Sequence, residues 1–161
     1  MKFETKARYP VSSDVVIKMF TDPNFHTTKL KAMGMARSRV LDSKSEGSEF
    51  RIKIERKVPL DAPGMLKKFF PAETTVVHEE RWNTANKTGK VKVQPSGVPV
   101  EISCTASMSD AGGQGTVNYV WDVKASVPLV GGALEKFVAS DMEKRLVEET
   151  NAAASLSGQY K

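Results

Sequence analysis

An amphipathic helix pattern at the end of the chain, arriving only after a run of alternating strands, constrains the fold more than any other feature. From Val127 to Leu156, the residues Leu134, Val138, Met142 and Leu146 recur every fourth position and lay one apolar stripe along the segment. Pro128 suits the first helical turn and Gly158 the far end. A helix of that size is about 40 Å long. It can lie across a whole small sheet and enclose the space left by the sheet's curvature, so the sequence predicts a pocket between the two.

The strands that precede it are read from their period of two. Lys2 to Tyr9 alternates, with Phe3, Thr5, Ala7 and Tyr9 in one phase. Ser12 or Ser13 is placed to cap a short helix carrying Val15, Val16, Met19 and Phe20, and Pro23 biases Asp22 away from helical geometry, which ends that helix near Thr21. A second short helix is expected from Phe25 to Met33, closed by Gly34. Ala36 to Leu41 and Ser48 to Val58 then read as a hairpin around an Asp42–Gly47 turn, with Phe50, Ile52 and Ile54 on one face and Arg51, Lys53 and Glu55 on the other. Thr74 to Trp82, Lys90 to Gln94 and Val98 to Met108 follow. After an Asp110–Gly115 turn, Thr116 to Val127 turns Val117, Tyr119, Trp121, Val123 and Ala125 inward.

A meander with one apolar face must cover that face, and the last helix is the only element large enough to do so. The fold class is therefore α+β, as a single domain over residues 1–161. With 40% hydrophobic residues the chain buries a sizeable core without staples.

Charge and cysteine usage narrow the function classes. The formal net charge is +5, but the basic pairs Lys29/Lys31, Arg56/Lys57 and Lys67/Lys68 are separated by acids, and no recognition-helix or aromatic-and-basic motif accompanies them. Nucleic acid is not the expected partner. His26 and His78 lie far apart in sequence with no HExxH or CxxC frame, so no metal site is expected, and no cofactor is required. One cysteine, Cys104, leaves no internal disulfide, and the N-terminal stretch has no apolar run of signal-peptide type. The expectation is a cytoplasmic protein.

Strand, helix pair, meander and long helix is the order of the helix-grip fold. Val127-Pro-Leu-Val-Gly-Gly132 followed by Glu135-Lys-Phe-Val138, with Phe70-Pro71 and Glu80-Arg-Trp82 upstream, resembles the START-related, birch-pollen-allergen-like (SRPBCC) superfamily. Within it the nearest likeness is to an uncharacterised bacterial family. The resemblance covers nearly the whole chain and implies a curved antiparallel sheet gripping the C-terminal helix over a ligand cavity. One departure is the glycine-rich loop of the pollen-allergen branch, whose equivalent here, Ser43 to Ser48, holds a single glycine.

Three constellations could carry chemistry. Strict alternation turns Arg56 inward with Ile52 and Ile54, and turns His78 and Glu80 inward with Trp82. Arg56 and Glu80 then either satisfy each other or hold the polar end of an apolar ligand. Cys104 and His78 share candidate inward phases, yet nothing local marks an activated thiol. The Pro59–Pro71 connection carries Met65, Leu66, Phe69 and Phe70 around Lys67 and Lys68, either as a hydrophobic plug or as a gate resting on an anionic membrane surface. Gly131-Gly132 reads as close packing of helix on sheet.

The sequence thus points to binding or carriage of a small hydrophobic or lipid-like molecule. The expected lining is Ile52, Ile54, Arg56, Met65, Phe69, Glu80, Trp82, Ile102, Trp121, Phe137 and Met142. A polyketide cyclase or hydratase-like enzyme, in which Glu80 or His78 moves a proton, and a co-chaperone-like interaction module are the alternatives.

Overall fold

The computed structural model describes residues 1–35 and 37–161. Seven strands form one antiparallel sheet in the order β1-β7-β6-β5-β4-β3-β2. They are β1 (Lys2–Arg8), β2 (Arg39–Glu46), β3 (Glu49–Pro59), β4 (Glu73–Asn83), β5 (Thr88–Pro95), β6 (Val100–Ala111) and β7 (Gln114–Ala125). Two short helices, α1 (Ser13–Phe20) and α2 (Pro23–Ala32), follow β1, and α3 (Gly131–Leu156) ends the fold against β7, β1 and α2. This is the curved, helix-grip arrangement expected of the sequence. No helix among the described residues is long and apolar enough to cross a membrane.

Alternation explains the core. Val100, Ile102, Cys104 and Ala106 on β6, and Val117, Tyr119, Trp121 and Val123 on β7, are all buried, while their sequence neighbours, apart from buried Thr116, face out or lie at the margin. Trp82 is wholly buried beneath Phe20, at 5.3 Å between ring centroids. Gly89 stands opposite it in the β4–β5 register, where an added Cβ would meet the indole ring at 2.4 Å. The indole occupies the space that a side chain would have filled.

Local chemistry moves several boundaries from where the sequence put them. The expected strand start, Ala36, lies outside the described residues. The expected Asp42–Gly47 turn is instead the second half of β2, paired with Glu49–Lys53 as far as Glu46, and the turn itself is only Gly47, at φ +60°, and Ser48. Every residue of β2 is exposed. An edge strand wetted on both faces tolerates an Asp-Ser-Lys-Ser-Glu run that a central strand would not. Asp22 is the N-cap of α2, accepting from the Asn24 N–H at 2.9 Å, so the helix starts at Pro23 rather than Phe25.

Neither Ser12 nor Ser13 caps α1 with its own side chain. The Ser13 N–H and hydroxyl both donate to Asp110, at 2.7 and 2.6 Å, from the far end of the β6–β7 hairpin. That hairpin turns on Gly112 and Gly113, at φ +59° and +80°.

The long helix also starts later than Val127. Leu129 takes φ +69°, outside helical geometry, and points wholly into solvent, so Pro128 precedes the helix instead of occupying its first turn. Gly131 does approach the sheet closely, since its added Cβ would lie 3.4 Å from the Ala125 carbonyl oxygen, whereas Gly132 faces open space. At the far end no glycine closes the helix. It tightens into a 3-10 turn over Ser157–Tyr160, and the Tyr160 hydroxyl donates to Asp22 at 2.6 Å.

Candidate functional site: an apolar cavity beside a polar chamber

Between the sheet and α3 the interior divides into compartments of opposite character. Over the N-terminal half of α3 lies an apolar cavity of about 80 Å³. Its walls are Val58, Val76, Val93 and Ile102 from the sheet, and Phe137, Val138 and Met142 from the helix, with Leu60 and Phe70 closing one side. The strap that supplies those two, residues 59–71, is tied down by Phe70 packed edge-on against Phe137, at 5.1 Å, and by an Arg145 guanidinium N–H donated to the Pro59 carbonyl at 2.6 Å.

Further along α3 the lining becomes polar. One chamber of about 40 Å³ is bounded by Tyr9, His26, Lys29, His78, Glu80, Tyr119 and Glu149, among others. A second, of about 10 Å³, shares His26, Lys29, His78, Glu80 and Glu149 and adds Ile54 and Arg56. Arg56 also lines the apolar cavity, so it stands at the border between the two regions.

Glu80 is the hub. Its carboxylate accepts from Trp82 Nε1 at 3.0 Å and from His78 Nε2 at 2.9 Å, and lies 3.6 Å from His26 Nδ1. His26 Nε2 donates in turn to the Phe20 carbonyl at 2.7 Å. Burial alone would raise the Glu80 pKa, but the two imidazoles and Lys29 outweigh it and hold the carboxyl below its ordinary range. Burial has the opposite sign for His26 and pulls it below 6.5, toward the neutral form. With His26 neutral, the Trp82 and His78 N–H donors and Lys29 hold the anion. We assign the state accordingly: Glu80 ionised, His26 neutral.

Arg56 does not pair with Glu80. In the β3–β4 register Arg56 stands opposite Val76 and Glu80 opposite Ile52, four positions along the sheet. The partner of Arg56 comes from α3 instead: its Nη1 donates to Glu149 at 3.1 Å. Burial would raise Glu149, yet Lys29 and Arg56 hold it below its ordinary value. Cys104 is likewise apart from His78. It stands opposite Val91 and Trp121, its thiol donates to the Thr105 carbonyl at 3.2 Å, and burial pushes its pKa up to about 12, the signature of an inert thiol.

Of the residues expected to line the pocket, Arg56, Ile102, Phe137 and Met142 line the apolar cavity, and Ile54, Arg56, Glu80 and Trp121 line the polar chambers. Ile52 and Trp82 face inward but are packed solid and line neither. Met65 is 73% exposed on the outside of the strap, whereas Phe69, half-buried beneath the Lys68 ammonium, packs against the edge of the core; both sit in the short helical turn Gly64–Phe69 and neither lines the cavity.

His26, Lys29 and Glu149 were not expected here. Glu149 carries a sequence signal: it lies seven residues after Met142 and three after Leu146, on the apolar stripe, where a carboxylate needs a buried partner. His26, beside buried Phe25 and four residues before buried Leu30, has a weaker one. Among the described residues, no group of three or more His, Cys, Asp or Glu is arranged to hold a metal ion.

Comparison with known proteins places this geometry in a wider group. The structure is similar to the Zhui aromatase/cyclase from Streptomyces sp. R1128, at 9% identity with a TM-score of 0.65, covering 99% of this chain and 94% of that one. It is similar to Ara h 8.0201, at 12% identity and a TM-score of 0.64 over 96% and 98% of the two chains. A START superfamily protein from Mycobacterium smegmatis matches at 11% identity and a TM-score of 0.58 over 99% of each. At such identities these likenesses establish the helix-grip, START-like fold and nothing finer. A search of curated proteins finds no match. Residues 4–156 match the sequence profile described as "Protein of unknown function (DUF2505)", and with almost the whole chain inside it, the protein belongs to that family.

Proposed function

We propose that this protein binds and carries a small, mostly apolar molecule between its sheet and α3. The observation that supports this best is that Arg56 lines both an apolar cavity and a neighbouring polar chamber, since a greasy space with a few placed polar groups both desolvates a ligand and orients it. The cavity, about 80 Å³, is smaller than the several hundred Å³ of a typical ligand site. The ligand therefore enters by displacing side chains. Met142, unbranched and half-buried, and the Phe70–Phe137 contact under the strap are the parts most easily rearranged.

Native mass spectrometry of protein purified from its own host tests the reading. A retained apolar molecule, absent after Ile102→Trp fills the cavity, is the expected result. No retained molecule, together with no uptake of 1-anilinonaphthalene-8-sulfonate, overturns it and leaves an interaction module as the better account.

A second reading, an enzyme of cyclase or hydratase type, draws on the His78–Glu80 hydrogen bond, because a carboxylate fixing an imidazole tautomer is how a general base is poised. Under that reading Glu80→Gln abolishes turnover while ligand binding persists.

A further inference from the structure

Four buried side-chain polar atoms among the described residues lack a hydrogen-bond partner: His26 Nδ1, Arg51 Nε, Arg56 Nε and His78 Nδ1. Three of the four belong to residues lining one space, the chamber of about 10 Å³ beside the apolar cavity. Buried polar groups are nearly always paired, so three orphans around one space are a pattern and not scatter. The chamber has room for one atom of water size.

The chemistry of the orphans is settled by what their other atoms do. His78 donates Nε2–H to Glu80, and His26 donates Nε2–H to the Phe20 carbonyl. With its Nε2–H spent and its pKa held down by burial, the neutral His26 ring presents Nδ1 as an acceptor. Arg56 spends Nη1 on Glu149, and its Nε–H remains a donor. One atom that gives a hydrogen bond to an imidazole and takes one from a guanidinium fits this set. A hydroxyl oxygen does both, a hydrocarbon does neither, and a carboxylate cannot donate. Two cations, Lys29 and Arg56, and two carboxylates, Glu80 and Glu149, line the chamber and cancel, so it favours a neutral group.

The geometry points to a ligand with a neutral hydroxyl on an apolar body, the hydroxyl seated between Arg56 and the histidines and the body in the cavity under α3. This rests on the carrier reading above and adds the class of molecule.

Fluorescence titration with 2-naphthol, naphthalene and 2-naphthoate tests it. The expected result is 2-naphthol binding about tenfold more tightly than either of the others, the worth of one good hydrogen bond in a dry site. Arg56→Lys keeps the cation beside Glu149 but removes Nε. It is expected to erase the preference for naphthol over naphthalene, and its thermal midpoint reports separately that the fold is kept. If naphthol and naphthalene bind alike, the chamber holds only water and the hydroxyl assignment falls while the carrier reading stands. If naphthoate binds best, Arg56 is an anion clamp and the assignment falls. If none of the three binds, both readings fall together.

Discussion

The two halves of α3 bury the same stripe against the same sheet, yet they solve opposite problems. Over Leu134, Val138 and Met142 the contacts are apolar and non-directional, so the space beneath can shrink or swell as side chains change rotamer. Over Leu146, Glu149 and Ala153 the helix faces Arg56, His78 and Glu80, and each of these polar groups is fixed by a partner at a set distance. That half cannot collapse without leaving a charge unpaired. The lesson is a division of labour along one helix, with adaptable volume at one end and fixed direction at the other.

The contrast is broken most severely at the hub. Glu80→Leu strands the Trp82 and His78 N–H groups in the core and is expected to cost about 3–5 kcal/mol in chemical denaturation. A loss below about 1 kcal/mol would mean the polar half is as adaptable as the apolar one.

Next comes the cross-element pair. Arg56→Met and Glu149→Leu each leave a buried charge alone and are expected to cost about 2–4 kcal/mol, while the double variant costs less than the two losses added together. Strict additivity in that double-mutant cycle would show the pair does not couple.

Acid sharpens the same contrast. His26 and Glu80 are held below their ordinary values of 6.5 and 4.5, so the folded protein binds fewer protons than the unfolded chain across that range. The contribution of these two groups to stability is therefore full above 6.5 and falls as pH drops through 6.5 and then below 4.5. His26→Gln keeps an N–H donor for the Phe20 carbonyl, and it is expected to flatten the upper part of the slope in a series of thermal midpoints.

Met142→Ala, in the apolar half, is expected to cost only about 1–2 kcal/mol, because the side chain is half-buried, and to increase dye uptake by enlarging the cavity. The smallest effect belongs to the strap. Lys67 and Lys68 are exposed, so exchanging both for glutamate is expected to change stability by less than about 0.5 kcal/mol, and to weaken vesicle binding only if the strap touches anionic membranes. Binding measured on anionic and neutral vesicles separates the two cases.

The fold was legible because its signals are periodic and repeat over many residues. The unbroken alternation of β6 and β7 and the fourfold spacing on α3 survive any single ambiguous residue. The candidate site was half legible for the same reason: alternation along β3 placed Arg56, and alternation along β4 placed His78 and Glu80, on the inner face. What alternation cannot supply is the partner across the interior. Glu149 and His26 come from helices whose rotation and position are set by packing, and the Arg56–Glu80 pairing fails on a register that neither strand encodes by itself. Edges were misread where propensity and context disagree, as in the polar second half of β2 and the left-handed Leu129 before α3.

The Asp110 cap on α1 bears on the order in which the chain assembles. An eight-residue helix is too short to persist alone in water, and this one obtains its N-terminal hydrogen bonds from a residue 97 positions away. Gly115 adds a second tether at the same place, its N–H donated to the Val11 carbonyl and its missing side chain leaving room for the Ser12–Ser13 backbone. The first helix of the sequence thus becomes persistent only after the last hairpin has closed. In kinetic terms the N-terminus is expected to wait for the C-terminal half, and loosening that hairpin to slow docking of α1 even though the helix's own residues are untouched.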